Sequence, residues 1–129
     1  MSGFSDEVLQ AARDRREVEL VTFGRKTGRP HRTTIWVWGD STRLFIRSGG
    51  GLGRDWPQNL LAHGRAVLQL GDLEVPVVPR HVTDLTEVRS LHPLAQQKYG
   101  PAARSSVGDG DVPTPGERAT FELLPAPAA

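Results

Sequence analysis

The sequence predicts a mainly β, α+β fold: a small barrel of six strands with short flanking helices. Three observations carry this. Short segments rich in Val, Ile, Leu, Thr and aromatic residues recur, separated by turn dipeptides such as Gly39-Asp40 and Gly71-Asp72. Helical signals are confined to short stretches between and beside them. No strand–helix–strand alternation of the kind that builds a parallel sheet runs through the chain. The 129 residues fit one domain with one modest core, with 1–16 read as an N-terminal helix and 101–118 as a flexible loop.

Taken in order, Ser5–Arg16 reads as a helix. Ser5 can cap it, Asp6 and Glu7 suit its positive end, and Arg13, Arg15 and Arg16 suit its negative end. Glu17–Phe23 alternates, with Val18 and Leu20 on one face, and predicts a strand. Gly24–Pro30 is a turn. His31–Trp38 is a second strand whose last four residues, Ile35, Trp36, Val37 and Trp38, are apolar on both faces. Such a strand must be covered on both sides, and a partner subunit is the expected cover for Trp36 and Trp38. Gly39-Asp40 opens a hairpin into Arg43–Ser48.

Gly49–Gly53 is a flexible loop. Asp55 reads as the cap of a short helix that tolerates Pro57 in its first turn, turns Leu60 and Leu61 inward and ends at His63-Gly64-Arg65. Ala66–Leu70 and Leu73–Val82 form a hairpin, and Pro76 and Pro79 predict that its second strand lies at a sheet edge. Asp84 and Glu87 have the spacing of a capping box for a helix toward Tyr99, which Pro93 kinks or divides. Pro101–Gly116 is a polar loop, Ala119–Leu124 a last strand, and Pro125–Ala129 a frayed tail.

Composition removes several function classes. The formal net charge is +1, so no global basic field points to nucleic acid or a membrane surface. There is no Cys, which excludes disulfides, thiolate metal sites and a thiol nucleophile. No apolar run approaches the roughly 20 residues that cross a bilayer, and the polar N-terminus MSGFSDEVLQ lacks a signal-peptide core. A cytoplasmic chain is expected. His31, His63, His81 and His92 show no metal-ligand spacing, so no metal is expected. Ser48 lacks a nucleophile-elbow context, and GGGLG lacks the Gly-Lys-[Ser/Thr] that closes a P-loop. Asp109 and Asp111 lack the other ligands of a calcium loop.

What remains is local. Arg25, Lys26 and Arg29, with glycines at 24 and 28, crowd cations and backbone N–H groups onto one hairpin tip, a good anion cradle. A solvated turn would look the same on charge alone. The apolar strand that follows favours the cradle, because a cofactor needs both a charged grip and a flat apolar wall. Thr33 and Thr34 add hydroxyls where that wall begins. A second constellation joins the first. Arg47-Ser48-Gly49-Gly50-Gly51 allows close backbone approach to a ligand. Trp56 and Asn59, three apart, share the next helix face. Trp56 as a core anchor is the competing reading.

The ordered set GRKTGRP, TTIWVW, LFIRSGGG and DW-PQ-NLLAHGRAVLQL resembles the flavin/deazaflavin oxidoreductase superfamily, which includes deazaflavin-dependent nitroreductases. The resemblance spans roughly Val18–Val82. Later segments, QQKYG and ATFELLP, are similar to an uncharacterised branch of small split-barrel proteins. It implies an FMN-binding split β-barrel, here of six strands, and a homodimer with its cofactor groove at or beside the subunit interface. It implies that Arg25, Lys26 and Gly28 grip the phosphate or acidic tail of the cofactor, with Arg32 beside them. Thr33, Thr34 and Ile35 would lie along the ring system, Ser48, Gly49 and Gly50 on the phosphate side, and Trp56 and Asn59 near the tail. Tyr99 would offer a substrate-side hydrogen bond.

Departures from the family pattern bear on the cofactor. His31 stands where relatives place Arg, Gly49 where deazaflavin binders place Lys, Arg47 where small apolar residues are usual, and Pro57 where Tyr is commoner. Two lost tail contacts weigh against coenzyme F420 and toward FMN, another flavin such as FAD, or no redox cofactor; between F420 and FMN the choice stays open. The expected function is a flavin- or deazaflavin-dependent oxidoreductase that passes hydride between its cofactor and a small organic acceptor such as a quinone or nitro compound. Two alternatives stand beside it. One is a non-catalytic carrier or sequestering protein for the same cofactor. The other is a small barrel binding single-stranded nucleic acid through its basic hairpin with Trp36 and Trp38, a partner that the near-neutral charge disfavours.

Overall fold

The computed structural model describes residues 3–106 and 108–127. Ala128 and Ala129 of the expected tail, and Val107 of the expected loop, lie outside the described residues. The chain forms a curled antiparallel sheet of seven strands with a few short helices. The elements are α1 (Asp6–Asp14), β1 (Val18–Phe23), β2 (Pro30–Ile35), β3 (Val37–Gly39), β4 (Leu44–Arg47) and α2 (Asp55–His63), then β5 (Ala66–Leu70), β6 (Leu73–His81), α3 (Leu85–Ser90), α4 (His92–Tyr99), a 3-10 helix (Gly100–Ser106), α5 (Pro115–Arg118) and β7 (Thr120–Pro125).

Seven strands replace the expected six because His31–Trp38 is two strands, not one. Pro30–Ile35 pairs with β1, and Val37–Gly39 pairs with β4. The sheet order is β2-β1-β5-β6-β7-β4-β3, so these two consecutive pieces are its opposite edges. Only Trp36 separates them. A single residue cannot bridge a flat seven-stranded sheet, so the sheet must curl until its edges meet.

The strand carrying Pro76 and Pro79 is not an edge strand, which corrects the sequence reading. Residues 73–77 of β6 pair with β5 and residues 77–81 pair with β7. Pro76 lies in the stretch laddered only to β5, and Pro79 in the stretch laddered only to β7. Each proline lacks a donor where one neighbour is absent, so the loss is tolerated inside the sheet.

Side-chain alternation puts apolar residues on both faces. Val37, Leu44 and Ile46 join Leu20, Leu68, Phe121 and Leu123 in a core inside the curl, which α1 and α2 help to close. Trp38 and Phe45, the intervening residues, point the other way and are buried with Val88, Leu91 and Ala95 of α3 and α4. Burying each large apolar side chain contributes about 1.5–3 kcal/mol. The outer cover of Trp38 is thus the chain's own helices, not a partner subunit. Trp36 is likewise engaged within the chain: it stacks on Tyr99 with ring centroids 4.0 Å apart and 5° between planes, and Arg16 sits 5.3 Å over its ring.

Local signals explain the helix ends. The Ser5 hydroxyl accepts from Val8 N–H and starts α1. The Asp84 carboxylate accepts from Glu87 N–H and starts α3, but Glu87 turns to Arg80, so the capping box is half made. Pro93 sits in the first turn of α4 and divides the expected long helix in two. Asp55 is the first residue of α2 and Arg54 its N-cap, and Leu61 is exposed while Leu60 is buried. The expected 101–118 loop contains two helical elements. Within it, α5 is held by a reciprocal capping box between Thr114 and Glu117.

Candidate functional site

Thr33, Thr34 and Ile35 leave β2 just before the chain crosses to the other sheet edge. Ser48, Gly49 and Gly50 leave β4, and Trp56 opens α2. The structure brings these seven predicted residues, with Tyr99, onto one groove of about 410 Å³. That size falls within the range of small-molecule sites. Its far wall is α4 and the 3-10 helix, through Ala95, Tyr99, Ala102 and Ala103. The glycines matter individually. A Cβ on Gly50 would collide with the Arg54 guanidinium, whereas one on Gly49 would meet nothing within 4 Å. The Ser48 carbonyl accepts from Gly51 N–H at 3.0 Å and sets the turn.

The basic hairpin faces a second cleft, of about 360 Å³, lined by Arg25, Lys26, His31, Asp55 and Asn59. Asp55 of this cleft and Trp56 of the groove are adjacent, so the first turn of α2 stands between the two spaces. Arg25 is not loose in solvent. Its Nη1 donates to Asn59 Oδ1 at 2.9 Å, and its Nη2 lies 3.6 Å from Asp55 Oδ1. Asn59 is buried, and its amide Nδ2 donates to Thr22 Oγ1 at 3.2 Å. Both ends of the carboxamide are used, which makes Asn59 a strut that places Arg25. His63 Nε2–H donates to Gly24 O at 2.8 Å and pins the base of the same hairpin. Gly28 lines neither cleft; its φ of 69° supplies the left-handed turn residue.

Two predicted residues sit elsewhere or act differently. Arg32 lines neither the groove nor the hairpin cleft. It pairs with Glu19 at 3.0 Å on another part of the surface, because Arg32 and Glu19 lie on neighbouring strands β2 and β1. Tyr99 is buried and its ring lines the groove, but its hydroxyl donates to Arg16 O at 2.6 Å and accepts from Val37 N–H at 3.2 Å. Burial raises its pKa to about 12 against the opposing hydrogen bond to Val37. The phenol is committed to backbone, joining the end of α4 to the β2–β3 crossing. Trp56 is buried against Phe121 at a centroid distance of 6.0 Å, so it is a core anchor with one side on the groove.

Sequence reasoning did not place the alanines of the far wall in the groove, nor Trp38, which lines it as well as packing in the core. It also missed Arg54, which covers Gly50, and Glu17 and Trp36. Arg47 entered the sequence reading at the head of the glycine loop and as a departure from the family pattern. In the structure it is a half-buried cation in the groove wall. Its Nε donates to Thr120 Oγ1 at 2.8 Å, and it lies 5.5 Å over the Trp38 ring. Burial lowers its pKa and the charge of Glu117 opposes that. Among the described residues, no cluster of three His, Asp or Glu could hold a metal ion, and no helix is long and apolar enough to cross a membrane. The aromatic set of the nucleic-acid reading is not presented for stacking, since Trp38 is buried and Trp36 lies against Tyr99.

No protein-family model matches this chain, and no curated protein matches it. Solved structures do. An F420-H2 dependent reductase, FDR-A, is 20% identical, with 85% of this chain and 94% of that one covered and a TM-score of 0.62. A domain-swapped dimer is also 20% identical, covering 86% and 81%, with a TM-score of 0.62. The heme storage protein HutZ from Vibrio cholerae is 13% identical, covering 95% and 89%, with a TM-score of 0.68. At these identities the likeness is one of fold: the chain has the fold of an F420-H2 dependent reductase, in line with the split-barrel superfamily that its motifs resemble.

Proposed function

We propose that this protein is a flavin- or deazaflavin-dependent oxidoreductase of split-barrel architecture that passes hydride between its cofactor and a small organic acceptor such as a quinone or nitro compound. One observation carries the reading. Thr33, Thr34, Ile35, Ser48, Gly49, Gly50 and Trp56, separated in sequence, line one groove, and Arg25, Lys26 and Asn59 flank the cleft beside it. The fold likeness to an F420-H2 dependent reductase supports the same class. When bound, such a cofactor supplies the redox chemistry itself.

The chain's residues have defined tasks in this reading. The β2 hydroxyls and Ile35 form the wall for the ring system, and the glycine loop admits its edge at close range. Arg25, held by Asn59, and Lys26 take the anionic tail. Ala95, Ala102 and Ala103 narrow the far side and exclude water. Arg47 presents a half-buried positive charge to the groove, which favours an anionic form of whatever ring lies there. F420 and FMN both suit these contacts, and FAD is compatible. The protein is proposed to act in the cytoplasm as a homodimer, on the precedent of the domain-swapped dimer of like fold.

Parallel titration of the apo protein with FMN, FAD and F420, followed by flavin or deazaflavin fluorescence, tests the reading. One of them binds with the groove tryptophans quenched; no binding of any of the three ends it. In Arg25→Ala/Lys26→Ala, affinity falls by more than about 1.5 kcal/mol, roughly tenfold or more, from lost charge-assisted hydrogen bonds. A carrier without turnover is the second reading, favoured by the commitment of the Tyr99 hydroxyl to backbone and by the heme storage protein among the fold neighbours. Turnover of reduced cofactor with a quinone or nitro compound separates the two.

A further inference from the structure

Opposite faces of α4 look onto two different spaces. Ala95 and Tyr99 face the groove, whereas Leu94, Gln97 and Lys98 face a cavity of about 530 Å³. Leu9 and Arg13 of α1 and Trp38 and Leu44 of the β3–β4 hairpin complete that cavity. Its size is that of a small-molecule site, and its wall is divided. Leu9, Leu44 and Leu94 are apolar, and Arg13, Gln97 and Lys98 are polar.

Its polar side is rich in donors and short of acceptors. Lys98 Nζ donates to Ala12 O and to Val37 O, each at 2.7 Å. An ammonium carries three N–H groups, so one is left over among the described residues. The buried indole N–H of Trp38 has no acceptor among the described residues. The one carboxylate on the lining, Asp40, is already taken by the Arg43 side chain at 2.7 Å and by the backbone N–H groups of Thr42 and Arg43. A buried donor without a partner is costly, and an incoming acceptor removes the cost.

We propose that this cavity binds a small carboxylate with an apolar body, its carboxylate on Lys98 and Trp38 and its body against Leu9, Leu44 and Leu94. The cavity is a separate space that shares only Trp38 with the groove, and the proposal stands whether or not a cofactor binds in the groove. It adjoins the groove through Val37, whose carbonyl accepts from Lys98 and whose N–H donates to Tyr99. Burial, and then the charge of Arg16, lower the Lys98 pKa to about 8, with Asp14 opposing. The ligand's affinity therefore depends on pH. The other charged groups around it are Arg13, Arg16, Arg43, Asp14 and Asp40. Tyr99 stays protonated between pH 7 and 9, because burial raises its pKa to about 12.

The test uses unmodified protein, benzoate as the probe and benzamide as its uncharged match, read by the indole N–H resonances assigned with Trp→Phe variants. Benzoate is expected to bind at least about tenfold more tightly than benzamide at pH 7, the worth of one charge-assisted contact. It should move the Trp38 resonance while leaving Trp36 and Trp56 in place, and weaken several-fold by pH 9. Lys98→Met abolishes the preference for the acid over the amide. Equal binding of the two probes, movement of Trp36 and Trp56 instead of Trp38, or an affinity flat from pH 7 to 9 overturns the proposal. The first and last outcomes are read without any variant at position 98, so a folding defect in Lys98→Met leaves the test intact.

Discussion

The two walls of the groove are held by different physics. The near wall, from β2, the β4 exit and α2, lies in the stretch Val18–Val82. It is built from strand pairing, glycine turns and apolar burial, with its cations at the surface apart from Arg47. The far wall, α4 and the 3-10 helix, is backed by α3 and α5, which are fastened to one another by a polar contact between residues far apart in sequence. Glu117 is 1% exposed and is held by Arg89 at 2.9 Å and by Thr114 N–H at 2.9 Å. Its neighbour Thr120 accepts from Arg47 in the groove and donates to Gly116 O. A wall built from periodic apolar residues tolerates single changes by repacking. A wall built on a buried charge fails when one partner goes.

The largest expected effect therefore lies outside the cofactor motifs. Glu117→Ala should cost about 2–3 kcal/mol, because the reciprocal capping box of α5 is broken and a buried, charge-assisted hydrogen-bond acceptor is removed. Chemical denaturation measures it. A cost under about 1 kcal/mol would remove the contrast between the walls. The pH dependence sharpens it. Burial pushes the Glu117 carboxyl up, but the hydrogen bonds from Arg89 and the backbone outweigh that and bring it down to about 2 from 4.5. A depressed carboxyl binds fewer protons folded than unfolded, so its stabilisation is full above pH 4.5 and lost as pH falls toward 2. Asp40 behaves alike, with burial outweighed by bonds from Arg43 and Thr42, and reaches about 2. Stability should fall through this window in the parent and less steeply in Glu117→Gln.

Next in size is Tyr99→Phe. The ring stays stacked on Trp36, but Arg16 O and Val37 N–H lose a buried partner, at about 1–2 kcal/mol. If the hydroxyl serves only to hold α4, turnover with any acceptor falls no more than cofactor binding does. A selective loss of turnover would return Tyr99 to the substrate side.

The same contrast explains what was legible in the sequence. Ser5, Asp84 and Gly28 announce their turns and caps because each acts on backbone a few residues away. The near wall was legible because strand pairing and glycine loops leave periodic or compositional marks. The division of β2 from β3 left none, since an apolar run that changes sheet edges at Trp36 contains no turn residue. The α4 part of the far wall was read as helix, but the chain beyond it was read as a flexible loop, because Gly, Pro and Asp around 101–118 look the same whether solvated or pinned by Glu117 to Arg89, 28 residues earlier. Pro76 and Pro79 were read correctly as missing ladder bonds but wrongly as an edge, since β6 changes partners between them.

The smallest expected effect concerns Arg32, where the near wall's motif and its geometry disagree. Its side chain is 62% exposed and pairs with Glu19, itself 46% exposed, at 3.0 Å. Exposed pairs of this kind are worth about 0–1 kcal/mol. Arg32→Ala should therefore shift stability by about 0.5 kcal/mol or less and leave cofactor affinity within about twofold. The double variant at Arg25 and Lys26 is the reference, because those cations share a cleft with the Asn59 strut whereas Arg32 lies beside Glu17, Glu19 and Glu74. Those acids would repel an anionic tail. If Arg32→Ala weakened binding as much as the double variant, the tail would run over the acidic surface, and the hairpin cleft would lose its place in the site.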